Sequence, residues 1–314
     1  MASKIDKVVI LGTGGTIAGT AADAGDNVGY TAAQLGVAQL VAAVPPLAGL
    51  PIEAEQVAQV DSKDMTVAIL HRIAERVQLH LARADVAGIV VTHGTDTLEE
   101  TAYALHRVLH ADKPVVLTAA MRPATSLQAD GPQNLLDAVT VARTAGQGGV
   151  VAVMAGRVWA GCELRKLHSY RIEAFGAGEG GALGWVEEGG LRPSRPWPAS
   201  TALGLTAMPA DEATAPWVAM LTSHAGASGR EVDALVAAGV QGIVVATTGN
   251  GSIHDALEAA LRRALAAGIA VLRATRCAQG GIVGADGGSF ESAGALTPAQ
   301  ARIELLLRLH RAVR

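Results

Sequence analysis

KVVILGTGGTIAG, residues 7–19, is an apolar, β-branched run that passes directly into glycines and threonines. Residues 7–11 read as a buried strand. A polar, Gly-rich turn at its carboxyl end is where an α/β sheet binds ligands. Two common uses of such a turn fail here. A dinucleotide fingerprint needs glycine at the first, third and sixth positions. Counting from Gly12, the sixth position is Ile17, and AADAGDNVGY (21–30) is a polar loop where a helix should follow. A phosphate loop needs Gly-Lys-Ser/Thr, which is absent. Two readings remain: a tight turn with incidental threonines, or a threonine hydroxyl at a strand end with glycines letting substrate approach it.

Outward from this turn, strand and helix patterns alternate. Strands are predicted over 86–92, 114–118 and 150–154, and helices over 31–44, 66–84, 97–110 and 131–145. The 31–44 helix is stopped by Pro45-Pro46, and the 66–84 helix repeats apolar residues at Ile69, Ile73, Val77 and Leu81. Strand, helix and strand in series imply parallel pairing with helices on the sheet faces. The stretch RPSRPWPAS (192–200) has no periodicity, so residues 191–215 are expected to form a linker between a domain over 1–190 and a smaller α/β domain over 216–314. In the latter, strands are predicted over 218–222, 242–247 and 270–274, and helices over 228–238, 253–267 and 297–311.

Composition narrows the function. Of 314 residues, 50% are hydrophobic, which excludes intrinsic disorder, and 25 basic against 29 acidic residues leave no basic surplus for nucleic acid. At 3% aromatics, recognition by base stacking is equally disfavoured. Mean hydropathy is +0.30, yet no apolar stretch reaches the ~18 residues a membrane span needs. Asp6 precedes the first apolar run, which ends in a turn rather than a cleavage site. A cytoplasmic location is therefore expected, or a periplasmic one where a leader has been removed. Cys162 and Cys277 are isolated in sequence, consistent with a reducing compartment.

Other chemistries fail by pattern. The nine histidines form no HExxH or Cys/His cluster of zinc spacing, and there is no GxSxG. His71, His80, His106 and His110 lie on amphipathic helices and are read as solvated. Lys166 in CELRKLHSYR (162–171) reads as a surface cation, with Arg165, His168 and Arg171 as a solvated basic face. In THGTDT (92–97), Asp96 or Thr97 suits a helix N-cap, with Glu99 and Glu100 in the first turn. Capping leaves His93, Gly94 and Thr95 unexplained; free helix N–H groups there could also bind a carboxylate or an oxyanion.

Together TGGTIAG (13–19), Tyr30 in NVGYT, DSKDM (61–65), THGTDTLEETAY (92–103), KPVVLTAAMRP (113–123), TSLQADGPQNL (125–135), Lys166, TTGNGS (247–252) and LTPAQAR (296–302) resemble the bacterial L-asparaginase family, closest to its type II-like asparaginases and glutaminase-asparaginases. The resemblance implies a larger N-terminal flavodoxin-like α/β domain and a smaller C-terminal parallel α/β domain. It implies hydrolysis of L-asparagine to L-aspartate and ammonia without metal or cofactor, in a homotetramer made of two intimate dimers. Thr16 matches the family nucleophile and Tyr30 the tyrosine that activates it. Thr95, Asp96 and Lys166 match a second threonine with its Asp and Lys partners. Ser62 matches the residue holding the substrate carboxylate, and Asp96 also the one holding its ammonium. Ala120 matches a carbonyl near the leaving nitrogen, and Ser252 the companion of a glutamate that the neighbouring subunit's C-terminal domain contributes, each active site lying between the N-domain of one subunit and the C-domain of its partner. Alternatives are a glutaminase-asparaginase, whose substrate differs by one methylene, a weakly active amino-acid-binding relative, and a nucleotide-binding domain at the level of fold.

Two positions depart from the family pattern. Lys63 stands where the family usually has a glutamine that contacts the substrate ammonium. A cation there is unfavourable by ~1–4 kcal/mol at 4 Å unless it points outward or pairs with an acid such as Asp64. Lys63→Gln is therefore expected to change KM for asparagine; an unchanged KM would place the side chain outside the pocket. The family's glutamate from the neighbouring subunit has no clear match in GGIVGADGGSFESAG (280–294); Asp286 and then Glu291 are nearest. Residues 20–29, rich in Gly, Asp and Asn, suit a lid.

Overall fold

The computed structural model describes residues 6–284 and 289–313, so Asp286 lies outside the described residues. The chain divides into two compact units, Met1–Leu205 and Thr206–Arg314.

The first unit is built on β1 (Lys7–Gly14), β2 (Ile52–Val60), β3 (Val86–Thr92), β4 (Pro114–Thr118) and β5 (Gly149–Met154). They pair in parallel in the order β2-β1-β3-β4-β5, the flavodoxin-like arrangement. Between them run α1 (Val37–Ala42), α2 (Val67–Leu81), α3 (Leu98–Val108) and α4 (Gly131–Ala142). Helices on the sheet bury the interior strands on both faces, which is why these strands are continuous apolar runs. Ile10, Leu11, Ile89 and Leu117 are fully buried and each contributes about 1.5–3 kcal/mol by removing apolar surface from water. The sheet continues antiparallel through β6 (Arg157–Ala160). A short pair, β7 (Arg165–Lys166) with β8 (Phe175–Gly176), stands apart from the main sheet. β9 (Gly184–Glu187) and β10 (Gly190–Pro193) close the sheet edge.

Residues 191–193, expected in a linker, are thus strand. Beyond them, Ser200 Oγ donates to His106 O, Arg107 donates to Thr201 O, and Leu203 N donates to Arg107 O. The proline-rich stretch is held by the end of α3 rather than spanning free space. A second difference lies at residues 31–44, where only Val37–Ala42 is helical. Ala33 N donates to Gly15 O, and Gln34 N and Leu35 N both donate to Ala18 O. These tertiary hydrogen bonds to the Thr16 turn outweigh the local helix propensity of TAAQL.

β2 is an edge strand that the sequence pattern does not announce. Its Glu53 and Glu55 bind Lys7, Arg83 and Arg76, placing charge along an otherwise open edge. His80, expected on the surface, is buried in this network, with Nε2 2.9 Å from Glu55 and Nδ1 3.2 Å from Arg83. His106 and Arg165, also read as solvated, are buried as well.

The second unit carries a parallel sheet of β11 (Val218–Thr222), β12 (Gly242–Thr247), β13 (Ala270–Thr275) and β14 (Glu291–Ser292), in that order. Its helices are α5 (Arg230–Ala237), α6 (Asp255–Ala266) and α7 (Pro298–Val313). Among the described residues, no helix is long and apolar enough to cross a membrane.

Candidate active site

Three turns at the carboxyl ends of β1, β2 and β3 converge, and glycine is what lets them touch. A Cβ on Gly15 would lie 2.3 Å from Gly94 Cα, and one on Gly94 would lie 2.4 Å from Ser62 Oγ. No side chain fits at either position. Gly15 also has φ +80°, in the region that favours glycine. The turns that carry Thr16 and Thr95 are consequently brought into contact at these glycines, 79 residues apart in sequence.

Thr16 opens a single 3-10 turn and is nearly buried. Its Oγ1 lies 2.7 Å from the Tyr30 hydroxyl. Tyr30 is brought there because Thr20 and Thr31 exchange main-chain hydrogen bonds across the base of the 20–29 loop. That loop is tied to the 125–127 segment: Thr125 Oγ1 accepts from Ala21 N, Leu127 N donates to Ala24 O, and Ser126 Oγ donates to Asn27 Oδ1.

Thr95 is buried, and its Oγ1 accepts a hydrogen bond of 2.9 Å from Lys166 Nζ. The same ammonium lies 2.6 Å from Asp96 Oδ1. Lys166 is therefore not a free surface cation; its side chain is only 19% exposed, against 55% for Asp96. Beneath this group His93 is fully buried, its Nδ1 donating to Gly94 O and its Nε2 accepting from Thr101. Burial pushes its pKa down to about 4, so the ring is neutral at pH 7.

Ser62 Oγ accepts from Asp96 N at 3.2 Å, which leaves its hydroxyl proton for another partner. Lys63, the next residue, is held by neighbouring acids. Its side chain is 60% exposed and pairs with Asp64, which raises its pKa. Around Ala120 the main chain is braced: Asn134 Nδ2 donates to Ala119 O, and Asp130 accepts from Met121 N and Arg122 N. A Cβ on Gly131 would stand 2.9 Å from Ile17 and 3.4 Å from Ala120, so the start of α4 packs between them.

In the second unit, Ser252 closes the turn after β12, exchanging main-chain hydrogen bonds with Thr248, and its side chain is exposed. Glu291 is bound by both terminal nitrogens of Arg308, at 2.7 and 2.8 Å, which holds its pKa down.

Sequence reasoning missed two contributors, Thr97 and Glu99. Thr97 occupies the N-cap of α3, but its side chain makes no capping hydrogen bond. Its hydroxyl donates instead to Ser62 O at 2.7 Å. Glu99 accepts from the Lys166 main-chain N–H at 3.1 Å. The signal was the dense polar run after β3, which helix capping accounted for too readily.

Comparison with known proteins shows the family to which the chain belongs. Residues 7–198 match the family model "Asparaginase, N-terminal", and residues 217–313 match "Glutaminase/Asparaginase C-terminal domain". This chain is an amidohydrolase of the asparaginase family. It is 35% identical to L-asparaginase 2 of Escherichia coli, over 97% of this chain and 89% of that one. It is 39% identical to the glutaminase-asparaginase of Pseudomonas aeruginosa, over 89% and 78% respectively. The crystal structure of a probable cytoplasmic L-asparaginase from Campylobacter jejuni superposes with a TM-score of 0.90 at 35% identity, covering 97% of this chain and 95% of that one. Of the residues that the sequence resemblance assigns to the asparaginase site, Thr16, Tyr30, Ser62, Thr95, Asp96, Ala120 and Lys166 belong to the first unit and Ser252 to the second.

Proposed function

We propose that the chain hydrolyses the side-chain amide of L-asparagine to L-aspartate and ammonia through an acyl-enzyme on Thr16. The observation that carries this reading is the pairing of two buried threonine hydroxyls with different partners: Tyr30 at 2.7 Å from Thr16, and Lys166 donating to Thr95 at 2.9 Å. An alcohol is a poor nucleophile until a neighbour accepts its proton. Thr16 Oγ1 attacks the amide carbon while Tyr30 relays the threonine proton toward the leaving nitrogen. The oxygen–carbon bond forms, the carbon–nitrogen bond breaks, and ammonia departs. Water then adds to the ester carbon and returns a proton to Thr16, releasing the carboxylate.

Thr95 accepts from Lys166 and so keeps its own proton to direct at a ligand or at that water. The half-exposed Asp96 suits the substrate ammonium, and the Ser62 hydroxyl suits its carboxylate. Lys63 pairs with Asp64, which offsets part of its charge near the ammonium position. Ala120 O serves the leaving nitrogen, and the family resemblance gives Ser252 a contact to substrate in the neighbouring subunit's site. The 20–29 loop acts as a lid anchored at residues 125–127.

Glutamine is the second substrate to test, because several relatives are named glutaminase-asparaginases. A single extra methylene is discriminated by only about 1–3 kcal/mol. A homotetramer of intimate dimers follows the family resemblance and suits the exposed Trp217 and Met220 beside and on the edge strand β11. Light scattering tests it through the mass of four chains. A cytoplasmic location rests on the likeness to the Campylobacter protein, and cell fractionation tests it against the periplasmic location named for a Haemophilus influenzae relative.

The activity test is ammonia release from asparagine and from glutamine by wild type, Thr16→Ala and Thr95→Val. Losses of at least about 1,000-fold for Thr16→Ala and about 100-fold for Thr95→Val are expected, with the fold retained. Near-parent turnover by either variant removes that residue from its role.

A further inference from the structure

We infer that Thr97 and Glu99 are positioning residues through which the first turn of α3 sets the geometry of the two chain segments facing it, Thr97 fixing Ser62 and Glu99 fixing Lys166. This rests on the amide-hydrolysis reading above and extends it to residues that touch no substrate.

Thr97 stands where a threonine normally caps a helix by accepting from a main-chain N–H two or three residues on. Here its hydroxyl instead donates to Ser62 O at 2.7 Å, 35 residues away in sequence. On the other side of the same turn, Asp96 N donates to Ser62 Oγ. Ser62 is therefore gripped at both its carbonyl and its hydroxyl by Asp96 and Thr97, the two residues that lead into α3. Its hydroxyl proton is thereby aimed away from α3, where a substrate carboxylate would receive it. Removal of the Thr97 hydroxyl loosens binding and leaves the reacting amide alone.

Glu99 acts in another direction. In the β7–β8 pair, Leu167 N donates to Ala174 O, so the Lys166 N–H one residue earlier points away from the ladder. Glu99 Oε2 accepts it at 3.1 Å across 67 residues of sequence. A half-buried main-chain donor without an acceptor would be costly. The carboxylate is itself largely desolvated, and that burial raises its pKa. The acceptor fixes the main chain from which the Lys166 ammonium reaches both Thr95 and Asp96. Loss of Glu99 shifts the lysine relative to Thr95 and slows the chemical steps.

The two residues predict opposite kinetic signatures, which a general loss of stability does not produce. Thr97→Val, nearly isosteric, should raise KM for L-asparagine about three- to tenfold while kcat stays within about twofold. Thr97→Ser, which keeps the hydroxyl, should restore KM. Glu99→Ala should lower kcat about tenfold with KM within about threefold, and Glu99→Gln, whose amide oxygen still accepts the Lys166 N–H, should recover most of it. Crystal structures should show Ser62 Oγ withdrawn from Asp96 N in Thr97→Val, and Lys166 Nζ withdrawn from Thr95 in Glu99→Ala. Unchanged kinetics in Thr97→Val or Glu99→Ala, the same KM and kcat signature in both, or failure of Ser and Gln to restore would overturn the inference. If the wild type releases no ammonia, the hydrolysis reading fails by itself, and the positioning of Ser62 and Lys166 is decided by the crystal structures: unmoved side chains refute it.

Discussion

Two glycine-rich turns follow strands in this molecule, GTGGT at 12–16 and TTGNG at 247–251, and they use glycine for different reasons. In the first, Gly14 and Gly15 have φ of +102° and +80°, and both are also crowded. A Cβ on Gly14 would stand 2.5 Å from Val60 O, and one on Gly15 would meet Gly94. In the second, Gly249 has φ +48° and faces open space. That turn is closed by its own surroundings: Thr275 Oγ1 donates to Gly249 O, and the Asn250 amide exchanges hydrogen bonds with Val283. The first turn needs glycine because two chains must touch there; the second needs it chiefly for its dihedral angles. Similar composition therefore marks a backbone-to-backbone convergence in one unit and, in the other, a turn held mainly by side-chain hydrogen bonds.

Substitution separates the two uses. The largest effect is expected from Gly15→Ala, which must push Gly94 and Ser62 away from Thr16. A displacement near 1 Å is enough to cost about 100-fold in turnover, and ammonia release measures it. Next comes a pH limit from His93, in the turn after β3 that meets the first turn. His93 beside Gly94 is neutral in the folded state, whereas an unfolded histidine takes a proton near its ordinary pKa. As pH falls from 6.5 toward 4, the unfolded state binds that proton first and stability is lost. The loss is about 3 kcal/mol, so the stability advantage of wild type over His93→Gln in urea unfolding should shrink by that amount between pH 8 and pH 4. Gly249→Ala should cost only about 1 kcal/mol in the same measurement and leave catalytic residues in the first unit undisturbed. The smallest effect is expected from Lys63→Gln, because the lysine already points to Asp64. Its KM for asparagine should stay within about twofold of wild type. This reverses the expectation drawn from position in the sequence alone.

The interior of the fold was legible because parallel strands buried on both faces are written as continuous apolar runs. The predicted strands over 86–92, 114–118 and 242–247 coincide with β3, β4 and β12. The edge strand β2 was not legible, since its glutamates face arginines that are close only after folding. Residues 31–36 misled for a related reason: their helix-compatible composition is overridden by hydrogen bonds to the Thr16 turn. Motif resemblance assigned roles to Thr16, Tyr30, Ser62, Thr95, Asp96 and Lys166, yet the convergence of their turns depends on close approaches at Gly15 and Gly94 that no local pattern announces. Thr97 and Glu99 were visible only as a cap and a helix-dipole acid. Their long-range hydrogen bonds replace or supplement those local roles, and local reasoning stopped at the sufficient local cause.

The most direct test of acyl transfer at Thr16 is mass spectrometry of enzyme quenched with acid during turnover of L-asparagine. One aspartyl group should be found in ester linkage on the peptide containing Thr16, and none in Thr16→Ala. An adduct on Thr95 or elsewhere, or rapid hydrolysis with full turnover by Thr16→Ala, would contradict it.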